Sequence, residues 1–240
     1  VTTTSITITE SSRVRHLLAL ADDALILGHR TSEWTGHAPV LEEELALANI
    51  ALDLIGQARA LYTEAGNDAG FDEDQLAFLR DAHQFRNALI MELPNGDFAF
   101  TMVRLLLVSA ASDLFWRANV SAADPALAAV AARAEKETAY HLRHTAEWVI
   151  RLGDGTAESH RRAQAALDAL WPFTGELTDR RVNRSAWLDV VAPVLTRATL
   201  VQSADGWMQS GGRDGRHTEH LGHLLAEMQV LPRTYPGATW

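Results

Sequence analysis

The chain has 240 residues, 47% of them hydrophobic and 22% charged, with a formal net charge of −10 and no cysteine. That length can carry a sizeable core and that composition is ordinary for a globular protein, which excludes a mostly disordered chain and a fibre. The missing cysteines exclude disulfides, thiolate zinc sites, iron–sulfur clusters held by this chain and thiol nucleophiles, and they fit a reducing cytoplasm.

An acidic chain without a long basic run is a poor partner for nucleic acid or anionic membrane. Uninterrupted apolar runs such as Ala126–Ala132 are far too short to cross a bilayer. Residues 1–10 have neither a basic start nor a long apolar stretch, so they read as a frayed extension and not as a secretory signal. The short Thr4–Thr9 is the one stretch with strand-like alternation. Lys136 is the only lysine, so lysine chemistry is confined to that position.

The rest of the chain has a helical period. Ser11 and Ser12 can cap a first helix that runs to about Trp34 with Leu17, Leu20, Ala24 and Leu27 on its apolar stripe. Gly36-His37-Ala38-Pro39 breaks it. A second helix follows from about Leu41 to Glu64, apolar on most of its circumference and therefore central, with Gly66 and Gly70 ending it. Asp72–Asn87 reads as a short helix and a polar connection, and Pro94-Asn95-Gly96-Asp97 as a turn.

A third helix spans about Phe98 to Asn119. A fourth starts near Pro125, well placed in a first turn, and closes at Gly153-Asp154-Gly155. Then come a short amphipathic helix, Ala157–Leu170, a connection from Trp171 to Asn183, and a helical piece, Arg184–Val201. A loop at Gly211–Gly215 precedes a last helix, Thr218–Tyr235, with Leu221, Leu224, Leu225, Met228 and Leu231 on one face. Four helices of roughly 30–40 Å joined by short links predict a bundle, at 1.5 Å per residue. The expectation is one all-α domain, a four-helix bundle over about 12–153 with additional C-terminal helices over about 157–236.

Each long helix carries polar residues among its apolar ones: Asp22 and Asp23; Glu42, Asn49, Asp53 and Gln57; Ser109, Ser112 and Asp113; Arg133, Glu137, His141 and His144. Di-iron carboxylate bundles need a Glu from each of two helices and Glu-x-x-His from each of the other two. No Glu-x-x-His occurs: three residues after Glu137 stands Tyr140, and three after Asp53 stands Gly56. Asp, one methylene shorter than Glu, has less reach for bonds of about 2.0–2.2 Å. The reading favoured by the residues is a buried structural polar network of Asp23, Asp53, Asp113, Arg133, Glu137 and His141, in which Glu137 and His141 are hydrogen-bond partners. The alternative makes Asp23, Asp53, Asp113, Glu137 and His141 the ligands of a metal-dependent oxidase.

Several long motifs are distinctive. They include Glu33-Trp34-x-Gly36-His37-Ala38-Pro39 and Leu45-Ala46-Leu47-Ala48-Asn49-Ile50-x-Leu52-Asp53-Leu54-x-Gly56-Gln57-Ala58-Arg59. Others are Gln84-Phe85-x-Asn87, Pro94-Asn95-Gly96-x-Phe98, Tyr140-His141-Leu142-Arg143, Gly215-x-His217-Thr218-Glu219-His220-Leu221-Gly222 and Leu225-Ala226-Glu227-Met228-Gln229. From about Leu17 to the end the chain resembles the PaaC subunit family of bacterial phenylacetyl-CoA epoxygenases, the ring 1,2-phenylacetyl-CoA epoxidases. It departs from them in a shortened Leu177–Trp187 connection.

The resemblance implies a ferritin-like fold without a metal site, so no cofactor in this chain and no catalytic residue of its own. It implies pairing with a homologous PaaA-like catalytic subunit that holds the di-iron centre, together with a PaaB-like subunit. A PaaE-like reductase carrying FAD and an iron–sulfur cluster would supply electrons from NADPH. The assembled enzyme places one atom of O2 on the aromatic ring of phenylacetyl-CoA as a 1,2-epoxide. The resemblance also points to Gln84, Phe85, Arg86 and Asn87 as contacts for the CoA ester, with Arg suited to phosphate and an aromatic to adenine. Arg86 stands where the family is expected to have a small residue. A capped surface loop is the competing reading of the same segment.

Other residue groups are read as structural. His217, His220, His223 and Glu227 have spacings that could seat zinc, but they fit helix-end and arginine pairing better. Trp34 and His37 beside Pro39 are expected to lock the first interhelical turn, and Trp116, Trp148, Trp171, Trp187 and Trp207 to anchor core or interface. No Gly-x-Ser-x-Gly nucleophile motif and no Walker-type phosphate loop occurs. A homo-oligomeric storage or interaction protein on the same bundle is a third reading.

Overall fold

The computed structural model describes residues 5–179 and 181–238. Among them are nine α-helices and no strand. The helices are α1 (Ser12–Ser32), α2 (Leu41–Ala69), α3 (Glu73–Phe78), α4 (Leu89–Glu92), α5 (Phe98–Asn119), α6 (Pro125–Gly153), α7 (Ala157–Leu170), α8 (Arg184–Arg197) and α9 (Glu219–Thr234), with short 3-10 turns at Ala82–Gln84, Trp171–Leu177 and Gly212–Asp214. The fold class is all-α, as the periodicity predicts, and ferritin-like, as the resemblance implies, with α1, α2, α5 and α6 the long members.

Contacts divide the chain into two compact units. The first takes the segment ending at Arg30, then Leu54–Pro94, then the segment from Gly211 onward; the second takes Thr31–Asp53 and Asn95–Ser210.

In the second unit α5 is the core helix. Every residue from Thr101 to Ala111 is buried, and α6, α7 and α8 pack on it. It is long and apolar enough to cross a membrane, but 78% of its most apolar window is buried inside the protein, as expected of a core helix. Asp97 starts it by accepting the Phe100 N–H at 2.9 Å. Asp124 caps α6, with Pro125 in the first turn where its missing N–H costs nothing. The inward face of α6 is Leu127, Ala131, Ala134, Thr138, His141, Thr145 and Val149, a helical three-and-four spacing. The Trp187 indole donates to the Leu107 carbonyl at 3.0 Å and packs 5.5 Å from Trp171. Trp34 donates to Thr101 and meets Phe98 edge-on, while His37 is exposed.

In the first unit, Val14, Leu17, Leu18, Leu25 and Ile26 of α1 and Ala58, Leu61, Tyr62 and Ala65 of α2 are buried. The short α3 and α4 pack against α9.

Several expectations need correction. No strand forms over residues 5–9, where Ile6 donates one backbone bond to Leu79; Thr4 lies outside the described residues. α2 runs five residues past Glu64 and keeps Gly66 inside. The Gly66 carbonyl accepts the N–H groups of both Gly70 and Phe71, and a Cβ on Gly66 would sit 2.1 Å from the Phe71 carbonyl oxygen. Only Gly70, at φ +79°, ends the helix. Nor is α2 covered all round: Leu41, Leu45 and Leu52 are exposed. α8 stops at Arg197, where Thr199 takes a φ of +56°. The buried face of α9 uses Leu221, Leu224, Leu225 and Gln229, and Leu231 is exposed. Of the tryptophan anchors, Trp116, Trp171 and Trp187 are buried, but Trp207 is exposed.

Candidate functional site

The segment from Arg80 to Glu92 is the densest polar region of the first unit. Asp72 caps α3, which is too short to carry Arg80 beyond its own end. Arg80 therefore folds back, donating to Leu76 and Gln84 carbonyls and reaching Asp22 on α1 through two nitrogens. Neither side chain has any exposed surface. The Tyr62 hydroxyl joins them, donating to Asp22 Oδ1 at 2.5 Å and accepting from Arg80 at 3.0 Å. Burial, then the Asp22 charge, pushes the Tyr62 phenol well above its ordinary range. Burial opposes the charge on Arg80, but the Asp22 carboxylate more than offsets it, and the arginine pKa stands above its usual value.

Gln84 is a cap: its side chain accepts the Asp81 N–H and donates to the Ile6 carbonyl. Phe85 is fully buried, with the Arg80 guanidinium 4.2 Å from its ring centre. The Arg86 backbone N–H donates to Asp22 Oδ2 at 2.6 Å, and its side chain pairs with Glu10 at 2.8 Å while also donating to the His83 and Phe85 carbonyls. Asn87, fully buried, donates to Glu92 Oε2 at 2.9 Å.

Two further clamps close the segment. Asp23 accepts the Ala88 N–H at 2.8 Å and pairs with Arg213 at 2.7 Å. Burial raises the Asp23 pKa to about 6, against the lowering effects of Arg213 and the Ala88 N–H. Glu92 receives the Thr218 N–H on one oxygen and His217 Nδ1 on the other, at 2.6 and 2.8 Å. His217 Nε2 faces the Phe85 carbonyl at 3.0 Å. Arg30 donates twice to the Glu92 carbonyl. Gly215, at φ +77°, lets the loop approach: a Cβ there would lie 2.1 Å from the His83 carbonyl oxygen.

In the second unit Asp113, Glu137, Asp53 and Glu43 each face a basic side chain of the same unit. Asp113 pairs with Arg117 at 3.0 Å, Glu137 with Arg133 at 2.6 Å, and Asp53 faces His141 Nε2 at 3.0 Å. Glu43 faces His144 Nε2 at 3.1 Å. Burial lowers the His141 pKa, opposed by the hydrogen bond and charge of Asp53. Burial raises that of Asp113, opposed by Arg117. Among the described residues no three His, Asp or Glu side chains converge as a metal ion requires. Asp53, Asp113, Glu137 and His141, each turned to its own partner, do not fit a two-metal centre.

The family model for the phenylacetic acid catabolic protein matches residues 2–240. The chain belongs to the phenylacetic acid catabolic protein family. Within it, the chain is 44% identical, over 94% of its length and 98% of the relative's, to the C-type subunit of the 1,2-phenylacetyl-CoA epoxidase of Escherichia coli (strain K12).

For this family member the structure separates the sequence-read site residues into two kinds. Gln84, Phe85, Arg86 and Asn87 are brought together, but as an internal clasp: Phe85 and Asn87 have no side-chain surface to offer a ligand, and Arg86 is engaged by Glu10. The network read from Asp23, Asp53, Asp113, Arg133, Glu137 and His141 needs correction. Arg133 is not buried; 71% of its side chain is exposed. Glu137 pairs with it, and the hydrogen-bond partner of His141 is Asp53. Asp113 is served by its own helix through Arg117. Asp23 belongs to the first unit, with Arg213.

Of the last-helix group, His217 is locked on Glu92, while His223 and Glu227 are exposed. Sequence reasoning missed Arg80, Tyr62, Glu92 and Arg213. A fully buried arginine gives no periodic signal, and its partners lie 18 and 58 residues away in the chain. The one hint was Asp22 beside Asp23 on the buried stripe of α1.

Proposed function

We propose that this chain is the C-type, non-catalytic subunit of a phenylacetyl-CoA ring 1,2-epoxidase that works in aerobic phenylacetate breakdown in the cytoplasm. The observation that carries this reading is the 44% identity to the C-type subunit of that enzyme, extending over nearly all of both chains. The chain pairs with a PaaA-like subunit that holds the di-iron centre, alongside a PaaB-like subunit. A PaaE-like reductase with FAD and an iron–sulfur cluster passes on electrons from NADPH. The chain has no cofactor of its own.

The donor chemistry supports this division of labour. An aspartate turned to a histidine and two carboxylates already paired with arginines would have to break those contacts to take up metal. A bundle relieved of metal can still present helix faces to a homologous subunit, because packing does not depend on ligands. The Arg80–Glu92 clasp then serves to hold a segment in shape, with Gln84 and Arg86, the two of the four with residual exposure, as the candidates for touching the CoA ester.

The test is to purify the full chain alone and with a PaaA-like subunit. The lone chain is expected to hold substoichiometric iron and to leave phenylacetyl-CoA unchanged with reductase, NADPH and O2. The pair is expected to copurify, and with the remaining subunits to form the epoxide. Stoichiometric iron in the lone chain, or turnover without a partner, overturns the reading.

A further inference from the structure

In the first unit, the corner formed by Asn87, Glu92 and Thr218 contains two buried polar atoms that no hydrogen-bond partner reaches among the described residues. Asn87 has no exposed surface. Its amide nitrogen donates to Glu92 Oε2 at 2.9 Å and to the Ala88 carbonyl at 3.1 Å. Both partners are acceptors, so turning the amide over would set its oxygen against them, and the orientation is fixed. That leaves Asn87 Oδ1 as a buried acceptor without a donor.

Thr218 repeats the pattern. It stands at the N-cap of α9, where a threonine hydroxyl ordinarily accepts a backbone N–H of the first turn. Here it makes no such bond, and Oγ1 is the second orphaned atom. The Thr218 N–H goes instead to Glu92 Oε1 at 2.6 Å. Both orphaned atoms thus belong to residues that grip the same carboxylate, one on each oxygen. Glu92 Oε2 is also faced by His217 Nδ1 at 2.8 Å, whereas Oε1 takes the Thr218 N–H and keeps a lone pair.

We propose that this corner is the binding site of one internal water molecule. The water accepts the Thr218 hydroxyl proton and donates to Asn87 Oδ1 and Glu92 Oε1. Three hydrogen bonds are the usual complement of a buried water. Without it, both groups bear the cost of leaving bulk solvent with nothing in return. A metal ion is a poorer occupant, because a hard cation takes about six oxygens and this corner offers three. The water joins Asn87, at the end of the Gln84–Asn87 segment, to Thr218, where the loop from Gly211 enters α9. The site is therefore part of the clasp, and it is independent of the subunit assignment.

The test is a crystal structure of the full chain at a resolution that shows ordered water. Thr218→Val and Thr218→Ser are solved beside it, and the wild type and Thr218→Val are melted. A water peak within hydrogen-bond distance of Asn87 Oδ1 and Thr218 Oγ1 is expected in the wild type and in Thr218→Ser, which keeps the hydroxyl. Thr218→Val keeps the shape and removes the hydroxyl. It is expected to lose or displace the peak and to melt several degrees lower. A hydroxyl with no partner predicts the reverse: the apolar isostere then melts at the same temperature or higher, and that result overturns the proposal. So does a wild-type crystal in which Thr218 Oγ1 bonds directly to Asn87 Oδ1, or one with a metal-coordinated peak or no peak at the corner. If Thr218→Val does not fold, the wild-type and Thr218→Ser densities decide alone.

Discussion

Asp22 in the first unit and Asp113 in the second are both helix carboxylates held by arginine, but they are held differently. Asp22 and Arg80 have no exposed surface, are 58 residues apart, and share Tyr62 as a third member. Asp113 meets an arginine one turn along its own helix, and 57% of that Arg117 side chain is in water. The difference follows from how each unit is made. The second has long helices whose apolar faces fix their mutual positions, so its charges can remain local. The first gathers separate chain segments and includes α3 and α4, of six and four residues, too short to bury much apolar surface. Buried ion pairs of high sequence separation supply the missing register there.

The largest expected effect tests that contrast. Asp22→Ala strands the Arg80 guanidinium in a closed interior and is expected to cost about 3–5 kcal/mol in urea denaturation. Asp113→Ala, whose partner can turn to solvent, is expected to cost about 1 kcal/mol or less. Adding Arg80→Met to Asp22→Ala should recover part of the loss, because the charge without a partner is then gone. Equal losses for the two aspartates would break the comparison.

A smaller, pH-dependent effect belongs to Asp23. Burial raises its folded pKa from 3.8 to about 6, so the folded chain binds this proton more tightly than the unfolded chain. Its stabilising contribution is full below pH about 4, is lost as pH rises to about 6, and is flat beyond. Asn cannot ionise, so the stability of the wild type minus that of Asp23→Asn should fall across this window. A difference that is flat with pH would show that the Arg213 pairing outweighs burial.

The readable part of the fold was the part written locally. The Pro94–Asp97 turn and Pro125 state where α5 and α6 begin, and the structure starts both helices there. Gly66 misled because its role is to admit the Phe71 carbonyl, a contact that the sequence does not display. α4 went unseen because four residues carry no period. The apolar character of α2 was legible, but its enclosure was not: leucines on an outward stripe and leucines in a core look alike until the neighbouring helices are placed. In the candidate site, the segment from Gln84 to Asn87 was found by motif, while the residues that grip it come from α1, α4 and the loop before α9. Their meeting is a property of topology, not of spacing.

The smallest effect concerns Arg133, which sequence reading placed inside the bundle. Its pair with Glu137 is an i,i+4 contact on the surface of α6, and such pairs contribute about 0.3–0.5 kcal/mol. Arg133→Ala should therefore shift stability by no more than about 0.5 kcal/mol, with alanine's helix propensity offsetting part of that. The loss should shrink further in high salt, where exposed charges are screened. A buried-network residue would behave otherwise: its removal would cost several kcal/mol and would be nearly indifferent to salt. Melting curves at two ionic strengths separate the cases, and a large, salt-insensitive loss would return Arg133 to the interior and erase the contrast between the two units.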